Sequence, residues 1–154
     1  TRKQPLDEKM FGTFPHRVTR PSSPLVRGFD EIFYAPHSRH TTVSREDVLA
    51  TPQVRVLAES DEAGLYLMAT DSGRQIFVTG HPEYDRMTLD SEYRRDLARG
   101  LAIQPPAHYY ADDDPGRDVL FRWRGHAHLL YSNWLNYYVY QQTPYDLTDL
   151  PGGM

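Results

Sequence analysis

His81 and Glu83 stand two residues apart in the stretch Val78-Thr79-Gly80-His81-Pro82-Glu83-Tyr84-Asp85. Both side chains are ionisable. In an extended segment, residues i and i+2 point to the same side. A carboxylate so placed can hold one imidazole nitrogen and fix the tautomer, leaving the other nitrogen to move a proton. Pro82 between them holds one backbone torsion rigid. A second polar group follows another apolar run, at Pro36-His37-Ser38-Arg39-His40. His37 and His40 lack a carboxylate or thiolate at ligand spacing, so this stretch does not read as a metal site.

The elements that must position these residues are short. Ile76-Phe77-Val78 reads as a buried strand stopped by Gly80, which lets backbone or ligand come close. Ile32 to Ala35 reads as another strand ending in the polar loop at His37 and Ser38. On an open parallel sheet, two such loops at the carboxyl ends of strands would face one crevice. Val54 to Ala58 and Leu65 to Thr70, with turns at Asp61-Glu62-Ala63-Gly64 and Asp71-Ser72-Gly73, complete a meander with the strand before His81. Phe11 to Phe14 is a short strand candidate, and residues 1–10 read as a polar loop.

Three helices are predicted. Ser44 is a good N-cap for a short helix, with Glu46 and Asp47 suited to its first turn. Thr88 to Leu101 places Leu89, Tyr93 and Leu97 on one stripe, with Gly100 as a stop. Ala127 to Gln141 is apolar on most sides and rich in tyrosine, which suits core packing or a homodimer interface. Asp112-Asp113-Asp114 lacks the ligand spacing of a calcium loop and reads as a solvated turn. The tail after Leu147, with Pro151-Gly152-Gly153, reads as flexible.

At 154 residues, with 39% apolar and 25% charged side chains, the chain can form one domain with a real core. A net charge of −4 gives no footprint for nucleic acid or an anionic membrane. No apolar run approaches the ~20 residues of a membrane span, and no signal-peptide pattern opens the chain. Neither a Gly-x-Gly-x-x-Gly motif nor a phosphate-binding loop occurs, so no nucleotide cofactor is indicated. Cysteine is absent, which excludes disulfides, thiolate metal sites and a cysteine nucleophile within the chain.

Three blocks carry a resemblance: Ala35 to His40, Val78 to Asp85, and Leu129 to Tyr140 with Thr143-Pro144-Tyr145-Asp146-Leu147. Together they resemble the homoserine O-acyltransferase family of the trans-succinylase type, over residues from about Phe11 to Leu147. The resemblance covers the C-terminal half of that family's chain, so residues 1–147 are expected to be the C-terminal part of its catalytic domain, followed by a tail at 148–154. The opening Thr-Arg-Lys-Gln is likewise expected of a fragment.

The resemblance implies the α/β class and the second half of a class I glutamine-amidotransferase-like (flavodoxin-like) three-layer sandwich. It implies acyl transfer from an acyl-CoA, succinyl-CoA or acetyl-CoA, to the hydroxyl of L-homoserine in methionine biosynthesis. The acyl group would pass through a thioester on a cysteine in the missing half. His81 and Glu83 would be catalytic, and Arg95, Ser38 and Lys9 would bind substrate. No cofactor beyond the co-substrate acyl-CoA is expected, and the setting would be a cytoplasmic homodimer. Without its cysteine, the chain alone is expected to be inactive. Two other readings stay open: a non-catalytic dimerising or binding module, and a related amidotransferase-type hydrolase.

Overall fold

In the computed structural model, residues 2–141 are described. The flexible tail expected from 148 and the Thr143–Leu147 block lie outside the described residues. Five strands form one sheet in the order β2-β1-β3-β4-β5: β1 Lys3–Val18, β2 Ile32–Val43, β3 Val54–Ser60, β4 Gly64–Thr70 and β5 Ile76–Val78. Every strand pair is antiparallel. The expected meander is present as β3-β4-β5, but a parallel-sheet crevice is not what places His81.

The long β1-β2 hairpin departs most from expectation. Residues 3–10 were expected to be a loop, and His37 and Ser38 to lie beyond a strand. Instead Lys3 pairs with Val43 and Phe11 with Ser38 in one ladder, which is irregular between Pro5 and Met10. Polar composition and proline conceal this strand. Its ladder is set by a partner some thirty residues away, and strand propensity yields to such context. Pro36 is tolerated because β2 is an edge strand.

Helices lie on both faces. α3, Arg124–Trp134, continues as a π-helical turn over Leu135–Val139. Its Leu130 joins Leu25, Phe33, Leu57, Tyr66 and Leu67 in the main core. Asn133 ties the helix to the Leu25 and Arg27 carbonyls at 3.1 and 2.8 Å. α1, Arg45–Leu49, packs Val48 on Val56, Leu65 and Met68. The Ser44 side chain accepts from the Asp47 N–H, as the cap predicts.

α2 spans Thr88–Ala98 and ends as predicted at Gly100 (φ 74°). The Gly100 N–H donates to the Leu97 carbonyl and the Leu101 N–H to that of Asp96, closing the C-terminal turn. Its inner face is not the predicted stripe. Leu89 is buried and Tyr93 half-buried, but Leu97 is exposed, while Asp90 and Asp96 are buried. Asp90 accepts from the Tyr110 hydroxyl at 2.6 Å and from Arg94 at 2.9 Å. Around it, Phe11, Leu89, Tyr109, Val119 and Trp123 form a second core. β5 is shorter and more open than expected, with Phe77 and Val78 exposed.

A polar pair is sealed within the sheet's packing. His16 and His37 stack with ring centroids 5.0 Å apart, and their Nε2 atoms lie 3.0 Å apart. Arg39 Nε donates to His37 Nδ1 at 3.3 Å. His37 therefore carries its proton on Nε2 and donates to His16 Nε2, which places the His16 proton on Nδ1. Burial pushes His16 down to about 4 and His37, also repelled by His16 and Arg39, down to about 2. Both are neutral at pH 7.

In the unfolded chain these rings titrate near 6.5. As pH falls, the unfolded state binds protons first, so stability is full above about 6.5 and declines towards 4. Each histidine should contribute a slope of about 1.4 kcal/mol per pH unit in that window. Denaturation midpoints measured from pH 7.5 to 5 should fall accordingly. A flat midpoint would mean that the pair is not buried in its neutral form.

Candidate active site

His81 to Tyr84 form a β-turn rather than the extended segment expected, with Pro82 at its second position and the Tyr84 N–H donating to the His81 carbonyl at 3.1 Å. The turn brings Glu83 Oε1 to 2.8 Å from His81 Nδ1. An ionised carboxylate only accepts, so Nδ1 carries the proton and the Nε2 lone pair is left available. Among the described residues, Nε2 has no hydrogen-bond partner. The turn also stacks Tyr84 on His81, with centroids 4.4 Å apart and planes 12° from parallel.

The turn is anchored from beneath. The His81 N–H donates to the Pro36 carbonyl at 2.8 Å, joining the loop after β5 to β2 on the opposite edge of the sheet. Gly80 passes so close to that edge that an added Cβ would lie 2.8 Å from Pro36 O, 2.8 Å from Tyr66 Cε2 and 3.1 Å from His37 Nε2. Space, not torsion, requires glycine here. Trp123 Nε1 donates to the Tyr84 carbonyl at 2.9 Å and fixes the far end of the turn.

On one side of the turn lies a cleft of about 820 Å³, bordered by His81, Glu83, Arg74, Ile76, Tyr131 and Trp134. The aromatic face of α3 thus lines the cleft as well as packing on the core. Trp134, expected on the helix's apolar face, is 41% exposed.

Away from this cleft, two of the three residues assigned to substrate meet at one carboxylate, and the third pairs with a neighbouring one. Ser38 Oγ donates to Glu92 Oε2 at 2.6 Å, and Lys9 Nζ donates to the same oxygen at 3.2 Å. The Tyr84 hydroxyl donates to Glu92 Oε1 at 2.9 Å. Lys9 also lies 3.9 Å from Asp96, to which Arg95 Nε donates at 2.7 Å. Lys9 sits within the irregular part of the β1-β2 ladder, where a bulge can re-aim a side chain. Arg95 pairs with its sequence neighbour and is half exposed. Burial opposes the Glu92 charge, but hydrogen bonds from Ser38, Tyr84 and Lys9 hold its carboxyl below the ordinary range. Burial and the Glu92 bond push the Tyr84 hydroxyl up to about 12, so it stays a donor.

All five residues singled out in the sequence therefore belong to one chain of contacts: Glu83, His81, Tyr84, Glu92, then Ser38 and Lys9, then Asp96 and Arg95. Tyr84, Glu92 and Asp96 are given no role by the sequence. Tyr84 was findable as the fourth residue of a Pro-containing turn. Glu92 was not, because its partners lie on β1 and β2. His37 and His40 separate: His37 is in the core and His40 is exposed. Among the described residues, no cluster of His, Asp or Glu could hold a metal ion.

The fold is that of class I glutamine amidotransferases. A glutamine amidotransferase from Thermotoga maritima superposes with a TM-score of 0.57, covering 87% of this chain and 53% of that one at 12% identity. Another from Methylobacillus flagellatus gives 0.56 over 87% and 55% at 11% identity. A sequence profile of the homoserine O-succinyltransferase family matches residues 1–145, and the chain belongs to that family. It is 60% identical over 149 residues to a homoserine O-acetyltransferase of Acetivibrio thermocellus, covering 97% of this chain and 49% of that protein. It is 58% identical over 148 residues to a homoserine O-acetyltransferase of Bacteroides thetaiotaomicron, covering 96% and 48%. The chain thus spans about half the length of these relatives.

Gly80→Ala should force the turn away from β2 and lower stability by about 1–3 kcal/mol through overpacking. Gly125→Ala is the control, since an added Cβ there meets nothing within 4 Å. Thermal melts of the two variants should separate clearly. Equal melting temperatures would show that the Gly80 contact yields without cost.

Proposed function

We propose that this chain supplies the proton-transfer and amino-acid-binding part of an acyltransferase that moves an acyl group from acyl-CoA to the hydroxyl of L-homoserine. The observation that carries this reading is the His81–Glu83 pair, set on a braced turn with Nε2 unengaged among the described residues, in a chain of this family. The chain has no cysteine. The thiol that would carry the acyl group therefore comes from the remaining half of a protein of the relatives' length.

In that reaction His81 Nε2 takes the thiol proton as sulfur attacks the thioester carbonyl, and returns it to the departing CoA thiolate. It next takes the homoserine hydroxyl proton as that oxygen attacks the acyl-cysteine, and returns it to the released cysteine thiolate. Glu83 balances the imidazolium charge formed in each step and keeps the ring in one tautomer. Arg95 offers a guanidinium fork for the substrate carboxylate. Glu92, charged and facing the same region, suits the substrate ammonium, with Ser38 and Lys9 holding it in place. The names of the relatives favour acetyl as the group transferred. The methionine-biosynthetic, cytoplasmic and homodimeric setting belongs to the same proposal. Among the described residues, no helix is long and apolar enough to cross a membrane.

The test is CoA release by the full-length protein with L-homoserine and either acetyl-CoA or succinyl-CoA, beside a glutaminase assay. The amidotransferase fold makes glutamine hydrolysis the competing reading. His81→Ala should lower transfer about 10³-fold with homoserine binding largely kept. Arg95→Ala should instead raise the homoserine KM about tenfold or more. Near-normal turnover by His81→Ala would remove His81 from the mechanism, and glutamine hydrolysis without acyl transfer would replace the reading.

A further inference from the structure

Tyr84 touches both halves of the site through different parts of one side chain. Its ring face lies on His81, its hydroxyl holds Glu92 Oε1, and its backbone carbonyl is pinned by Trp123. The remaining contact, from its N–H to the His81 carbonyl, closes the turn itself. Side chain and backbone are therefore held at four points, for a residue that lies in a loop and is only half buried.

We propose that Tyr84 is a positioning residue, a strut that sets the plane of the His81 ring and at the same time aims the Glu92 carboxylate at the substrate ammonium. This deepens the acyl-transfer reading and rests on it. The physics has two parts. A ring stacked at 12° leaves His81 little freedom about its outer side-chain torsion, so Nδ1 stays in line with Glu83 and Nε2 keeps one direction. The π face is also electron-rich where imidazolium charge appears during proton transfer, which favours the charged form. At the other end, the hydroxyl fixes Oε1 while Ser38 and Lys9 fix Oε2, so the carboxylate is held by both oxygens. A substrate ammonium would meet a charge already aimed, and the base would sit at a set distance from it along one rigid ring. The Tyr84 hydroxyl never needs to ionise in this role.

Two variants separate the two ends of the strut. Tyr84→Phe keeps the stack and removes the hydroxyl; Tyr84→Leu removes both. In the full-length protein, Tyr84→Phe should raise the homoserine KM about fivefold to tenfold, the loss of one hydrogen bond to a charged group. Its kcat should fall far less than that of Tyr84→Leu, in which kcat drops a further tenfold or more as the base loses alignment. Nitrogen NMR of histidine-labelled full-length protein gives a readout that needs no turnover. His81 should show the Nδ1–H tautomer in wild type and in Tyr84→Phe, and a mixture of both tautomers in Tyr84→Leu.

Equal kinetics for the two variants, or an unchanged tautomer in Tyr84→Leu, would overturn the proposal. If the wild-type protein fails to acylate homoserine, the functional reading falls, and the NMR comparison still decides whether Tyr84 orients His81. Should Tyr84→Leu fail to fold, Tyr84→Met supplies the unstacked variant for both measurements.

Discussion

The hydrogen bond from the His81 N–H to the Pro36 carbonyl joins the two edges of a curled sheet. β5 is only three residues long, and the chain leaving it would wander without a second anchor. The anchor is available because Pro36 lies on an edge strand, where its carbonyl is not taken by a further strand. It is reachable because Gly80 has no side chain to hold the backbones apart. Tyr66 and His37 fill the space beneath, and both are buried. The position of the candidate base is thus set by main-chain contact and close packing, not by its own side-chain bonds.

The polar side of the site depends on a different constraint. A carboxylate removed from water is costly unless its lone pairs are occupied. Glu92 meets this with Ser38, Lys9 and Tyr84, which draw on β2, β1 and the turn after β5 respectively. Because each donor comes from a separate part of the chain, the carboxylate also acts as a joint between α2, the hairpin and the turn. The same bonds that keep Glu92 charged therefore fix where that charge points. Asp90 performs a comparable service two residues earlier on α2, where Tyr110 and Arg94 satisfy it in the second core.

How much of this could be read in advance follows from sequence distance. The His81–Glu83 pair, the Ser44 cap and the Gly100 stop are local, governed by neighbours within four residues, and the sequence predicts each of them. The β3-β4-β5 meander is nearly local and is also predicted. The first ten residues are not, because Lys3 to Pro5 are strand only through pairing with Thr41 to Val43. The buried face of α2 is misjudged for a related reason: hydropathy places Leu97 inwards, but the Tyr110 hydroxyl and the cationic side chain of Lys9 draw Asp90 and Asp96 inwards instead. The resemblance, by contrast, picked out Ser38, Lys9 and Arg95 without any geometry, and the structure connects all three through residues the sequence left unassigned.

The contact chain from Glu83 to Arg95 has a mechanical consequence. Its members come from β1, β2, the turn after β5 and α2, yet the packed anchors of the turn and helix are few: Pro36, Trp123 and the Leu89 face of α2. A constellation shared among elements is accurate only if each element is fixed independently of the bonds within the site. Here the turn is fixed by backbone and indole contacts, and α2 by an aromatic core, neither of which uses the side chains of His81, Glu83, Ser38, Lys9 or Arg95. Lys9, Ser38 or Arg95 could leave their present partners without releasing the turn or the helix. That separation leaves the polar side chains free to change partners while His81 and Glu83 hold their places.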